Sequence, residues 1–123
     1  MKNIINIKSP SILSEKEIIT EILDHLKSRK AVSSYVEIEV IEDVKMKKLN
    51  SRFMRKNRPT DVLSFPLPDI PGEKQRKSKL IGTVVLCGDI IKQNAKENNK
   101  DERDEFKFVL RHGLDHLLGI HHK

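Results

Sequence analysis

Cys87 is the chain's one cysteine, so no disulfide can close within it and a zinc site built from cysteines is excluded. A single thiol also fits a reducing compartment. Tryptophan is absent, and the aromatics are Tyr35 and four phenylalanines, too few to expect a platform that reads nucleobases by stacking. No uncharged apolar run approaches the length of a membrane span, and Met1 to Pro10 carries no apolar signal core. A soluble, cytoplasmic chain with no membrane partner is expected. Acidic residues are missing altogether from Lys45 to Arg58, where seven of fourteen positions are Lys or Arg. A second basic run holds Lys74, Arg76, Lys77 and Lys79. Such local runs, on a net charge of +6, point to a polyanionic partner.

What is present suffices for one folded domain over residues 1–123, with 37% hydrophobic residues to build a core. Lys2 to Lys8 alternates weakly and reads as a strand. Ser14 and Glu17 form a capping-box pattern ahead of a helix to about Lys30, with Ile18, Ile19, Ile22, Leu23 and Leu26 on one face. Tyr35 to Ile41 alternates apolar residues with Glu37 and Glu39, as a strand with one wet face. Helical spacing follows from Val44 to Met54, then a short strand from Asp61 to Phe65 closed by Pro66, and a polar loop over 69–79. Leu80 to Cys87 reads as a central strand covered on both sides. Asp89 is a candidate N-cap for a helix from Ile90 to Asn99, and a last helix begins near Asp101. The order β-α-β-α-β-β-α-α implies an α+β single domain, a small mixed four-stranded sheet packed by helices, with a metal site at the C-terminal helix.

That metal site is read from histidines. Of five in the chain, four fall in the last twelve residues. His112 and His116, four apart, share one helix face. Gly119 stands where a helix uses a left-handed residue to stop, so the chain can fold back and His122 can supply a third imidazole. Three neutral imidazoles leave a fourth position for water, the catalytic pattern of Zn2+. Nickel or copper would accept the same donors. The spacing follows the H-E-x-x-H-x-x-G-x-x-H signature of zinc peptidases except that Gly113 replaces its glutamate. Glycine cannot take a proton from water, so a metallopeptidase is a minor alternative.

Thr60-Asp61-Val62-Leu63-Ser64-Phe65-Pro66, Gly88-Asp89-Ile90, and His112-Gly113-x-x-His116-Leu117-x-Gly119-x-x-His122 together resemble the YbeY family. The resemblance spans roughly residues 30 to 122. It implies an α+β fold and one zinc-type metal, held by His112, His116 and His122, at the mouth of a basic cleft. The implied activity is single-strand-specific, metal-dependent endoribonuclease cleavage in ribosomal RNA maturation and ribosome quality control. The implied partners are ribosomal RNA and the small ribosomal subunit with its associated proteins. The family's arginine after the aromatic matched to Phe53 is Met54 here, with Arg55 beside it. The family also favours Leu at Asp115 and Asp at His121, and continues past the third histidine.

On that reading His116 and Arg55 are the candidate catalytic residues, Arg55 (or Arg52) stabilising charge on the phosphate. Arg52, Lys56, Arg58 and Ser64 are candidate substrate contacts, Ser64 through a hydrogen bond to phosphate or as a structural hydroxyl. The nucleophile is water or the RNA's own 2′-OH. Asp115 is expected as a solvated surface residue, or as a group orienting a ligand imidazole. His121 is expected to face solvent, and Asp89 to cap a helix. A non-catalytic, metal-stabilised RNA- or ribosome-binding protein is the competing class.

Overall fold

The computed structural model describes residues 4–8, 12–31, 35–56, 58, 60–66 and 81–120. The 69–79 loop, its basic run, His121 and His122 lie outside them. The element order is β1 (Ile4–Lys8), α1 (Glu15–Ser28), β2 (Tyr35–Ile41), α2 (Asp43–Met54), β3 (Val62–Pro66), β4 (Ile81–Cys87), α3 (Gly88–Glu97) and α4 (Glu102–Leu117). This is the α+β succession the periodicities imply.

The strands hydrogen-bond in the order β1-β2-β4-β3. β1 and β4 run parallel to β2, while β3 is antiparallel to β4, pairing Leu63 with Val85 and Phe65 with Thr83. Parallel neighbours need a crossover, and α1 supplies the one between β1 and β2. Residue alternation along β4 sends Val84 and Leu86 to one face and Val85 and Cys87 to the other. The first face packs on Ile18, Ile22 and Leu26 of α1, Ile91 of α3, and Phe106, Val109, Leu110 and Leu114 of α4. The second packs on Met46 of α2, with Leu63 of β3 beside it. β4 is therefore covered on both sides, as its unbroken apolar run requires.

Caps define the helix ends. Ser14 accepts from the Glu17 N–H at 3.2 Å while Glu17 accepts from the Ser14 N–H at 3.1 Å, a complete capping box. Asp101 caps α4 by accepting from the backbone of Arg103 and Asp104. Replacing Asp101 with Ala should lower the unfolding free energy by about 1 kcal/mol, read from the urea midpoint. Asp89 differs from its expected place. It lies inside the first turn of α3, whose N-cap is Cys87. Its carboxylate accepts from the Asp43 N–H at 3.2 Å instead, capping the neighbouring helix α2.

Pro66 closes β3 as expected, standing as its last residue opposite Gly82. β3 is the last strand in the sheet order, where a residue lacking an N–H is tolerated.

Candidate metal centre and cleft

α4 carries the site, and its seat on the sheet is set by Gly113. A Cβ there would lie 2.8 Å from Val84 Cγ1 and 3.0 Å from Val62 Cγ2, so only glycine lets the helix backbone come this close. Ser64 Oγ donates to the Gly113 carbonyl at 2.9 Å and pins β3 to the same point. That bond gives Ser64 its structural-hydroxyl role. One residue before and three after this contact stand His112 and His116, with ring centroids 4.5 Å apart and planes at 51°. His112 is half-buried and His116 exposed.

The end of α4 forms the stop anticipated from Gly119. This residue has φ +79°, the Gly119 N–H bonds the His116 carbonyl at 3.1 Å, and the Ile120 N–H bonds the Asp115 carbonyl at 2.8 Å. These are the two bonds of a Schellman motif, which turns the chain off the helix axis. His122 follows outside the described residues, and among the described residues no cluster of three His, Cys, Asp or Glu that could hold a metal is found. The described pair fits the implied ion in donor chemistry: two imidazoles meet on one face at the rim of an open cleft. Cys87 offers no alternative ligand, because it is fully buried and desolvation pushes its thiol pKa up.

The cleft has a volume of about 930 Å3. Its walls are β3 from Val62 to Phe65, the α4 residues Phe108, Arg111, His112 and His116, the end of α2 at Met54, and His25 of α1 with Arg29, the C-cap of that helix. Of the candidate site residues, the cleft brings together His112, His116 and Ser64. Arg52, Arg55, Lys56 and Arg58 are all exposed and none lines it. Arg52 lies over the Phe53 ring at 5.4 Å, Arg55 ends α2 with φ 55°, and the Arg58 carbonyl accepts from Asn50 Nδ2 at 2.8 Å. Met54, not Arg55, faces the cleft.

Asp115 is the main correction. It is buried, at 2% exposure, and is neither solvated nor on the surface. Oδ1 accepts from His25 Nε2 at 2.7 Å and from Arg29 Nε at 3.0 Å, and Oδ2 accepts from Arg29 Nη2 at 2.8 Å. A carboxylate only accepts, so His25 carries its proton on Nε2. The Asp115 hydrogen bond and charge together push the Arg29 pKa further up. His25 and Arg29 are the residues that sequence reasoning missed. One signal for them existed: His25 falls seven residues after Ile18 and one before Leu26, on the buried stripe of α1, where a polar residue needs a partner.

The aromatic expectation also changes. Phe106 is core, but Phe65 and Phe108 line the cleft, and Phe53 meets Phe65 edge to face at 5.3 Å. Phe53 and Phe108 remain more than half exposed, at 53% and 56%. Scarcity in the sequence thus conceals a concentration beside the site.

The chain matches the family model described as Endoribonuclease YbeY over residues 4–123. Endoribonuclease YbeY of Wigglesworthia glossinidia brevipalpis is 33% identical over 115 residues, covering 94% of this chain and 71% of the relative. The Sulfurovum sp. (strain NBC37-1) protein of the same description is 32% identical over 124 residues, covering 100% of this chain and 81% of the relative. The solution structure of TM1509 from Thermotoga maritima matches with a TM-score of 0.63 at 27% identity, over 98% of this chain and 75% of that one. With a family match across nearly the whole length and relatives above 30% identity over most of theirs, the chain belongs to the YbeY endoribonuclease family.

Proposed function

We propose that this protein is a single-strand-specific, zinc-dependent endoribonuclease of ribosomal RNA maturation and ribosome quality control, working in the cytoplasm on RNA of the small ribosomal subunit. The observation that carries the reading is the His112–His116 pair, with rings 4.5 Å apart at the rim of a large cleft, in a chain of this family. His112, His116 and His122 would hold one zinc ion. When bound, zinc supplies Lewis-acid polarisation of a phosphate oxygen or lowers the pKa of a water toward neutrality.

The chain's own residues supply the remainder. Gly113 and Ser64 fix α4 against β3 and so set where the two imidazoles stand. Phe53 and Phe108 offer exposed rings to unpaired bases, which favours single strands, because bases inside a duplex are not free to stack on protein. The exposed cations of α2 and its C-terminal extension, Arg52, Arg55, Lys56 and Arg58, add attraction for the RNA backbone and steer it to the site. Arg55, the residue after the cleft-facing Met54, is the nearest of them in sequence to the cleft wall. The peptidase alternative loses support, since a glutamate in place of Gly113 would drive its side chain into Val84 and Val62.

The test is cleavage of a labelled single-stranded RNA before and after chelation. Removing metal should cut the rate by about a hundredfold or more, as loss of a Lewis acid's several kcal/mol implies, and added zinc should restore it. Cleavage unaffected by chelator would overturn the reading. RNA binding without turnover in the zinc-loaded protein would replace it with the binding-protein alternative.

A further inference from the structure

We propose that Arg29 is a phosphate-binding residue of the cleft, its guanidinium aimed by the buried Asp115 at a backbone phosphate of single-stranded RNA. The nature of the anion rests on the endoribonuclease reading. The case for Arg29 rests on its surroundings.

Asp115 and Arg29 differ sharply in exposure: their side chains are 3% and 37% exposed. Both residues line the cleft, but the carboxylate is nearly fully buried while the guanidinium keeps over a third of its surface open. The fork uses Nε and one Nη2 hydrogen on Asp115. Of the five N–H donors of a guanidinium, that leaves the second Nη2 hydrogen and both on Nη1. No hydrogen bond from these three to another described residue is found. A pair built only to hold α1 against α4 would have no need to present its cation to a large open cavity. Two such ties between the helices exist already, Arg103 to Glu17 and Arg111 to Glu21.

Burial explains why the arrangement suits an anion. A free arginine on a flexible stem loses rotamer freedom when it grips a phosphate. Asp115 has fixed the Arg29 plane in advance, so less order is lost on binding. His25, the second donor to Oδ1, also helps to hold the carboxylate. Asp115 also directly precedes His116 on α4, so the phosphate-facing fork and the ligand imidazole are positioned by adjacent residues of one helix. Arg111, the other arginine on the cleft wall, spends Nη1 on Glu21. Arg29 is set apart by its two-point fork, which fixes the guanidinium plane on a buried carboxylate, where Arg111 is tied through Nη1 alone.

The decisive variant is the double substitution Arg29→Met with Asp115→Asn. It removes one positive and one negative charge together, leaves net charge unchanged and keeps a hydrogen-bonding amide against His25. Binding of a labelled single-stranded RNA oligonucleotide is measured with chelator present, so that cleavage does not intervene. Affinity should fall about tenfold or more, the weight of a charge-assisted hydrogen bond. Zinc affinity and the thermal unfolding profile should stay near those of the unaltered chain. Arg29→Lys, which threatens the fold least, should bind RNA about threefold more weakly, because an ammonium loses the fork geometry. Affinity within twofold of wild type for both variants would overturn the proposal and leave Arg29 as a structural clamp. An unaltered chain that binds RNA but does not cut it once loaded with zinc and freed of chelator would sink the enzymatic reading alone. An unaltered chain that does not bind RNA would overturn both.

Discussion

Gly113→Ala is expected to destabilise the domain by about 1–2 kcal/mol, although alanine is the better helix former. In an open helix the exchange would gain up to about 1 kcal/mol. Here the added methyl would stand 2.8 Å from Val84 Cγ1 and 3.0 Å from Val62 Cγ2. Both neighbours are β-branched, with stiff side chains, and both belong to strands beneath the helix. Relief must come from moving α4, at the cost of about 1–3 kcal/mol usual for overpacking. Gly113→Glu should be worse, forcing a carboxylate into the same apolar contact. The substitution that would complete the peptidase signature should thus unfold the chain rather than confer peptidase activity. Urea unfolding reads both, and an Ala variant more stable than wild type would refute the close packing.

The second large effect concerns the histidines. His116 is exposed and carries no core packing, so His116→Ala should leave the fold and its unfolding midpoint nearly unchanged. Zinc affinity should drop by orders of magnitude, since one of three proposed imidazoles is gone, and RNA cleavage should fall by about a hundredfold or more. His112→Ala should do the same with a somewhat larger loss of stability, because that ring is half-buried. Stability and activity therefore separate along one helix face: Gly113 governs the first, His112 and His116 the second.

Most of the framework could be read along the chain because its signals are local. The Ser14–Glu17 capping box, the alternation of Val36, Ile38 and Val40, and the glycine stop at Gly119 each depend on residues within a turn or two. The His112–His116 pair was legible for the same reason: spacing on a helix fixes proximity.

Legibility failed where partners are distant. Asp115 reads as a surface residue beside His116, yet its partners His25 and Arg29 lie 90 and 86 positions away. Only the packing of α1 against α4 brings them together. Asp89 is similar, since its local position suggests a cap for its own helix while its carboxylate reaches Asp43, 46 positions away. The basic stretch from Lys45 to Arg58 is dense in charge, but the structure turns those cations to solvent and puts Arg29, from the short Lys27-Ser28-Arg29-Lys30 segment, on the cleft wall. Composition likewise undervalued the phenylalanines, because it counts them without locating them. Phe53, Phe65 and Phe108 come from three different elements.

The central claim is that the helix-borne histidines carry RNA cleavage. It is tested most directly by incubating a labelled single-stranded RNA with the unaltered chain and with His116→Ala, purified side by side and loaded with zinc. The paired variant controls for contaminating ribonuclease. Cutting by the unaltered chain, with loss of about a hundredfold or more in the variant, is the predicted result. Equal cutting by the two would contradict the claim and assign the activity to a contaminant or to another site.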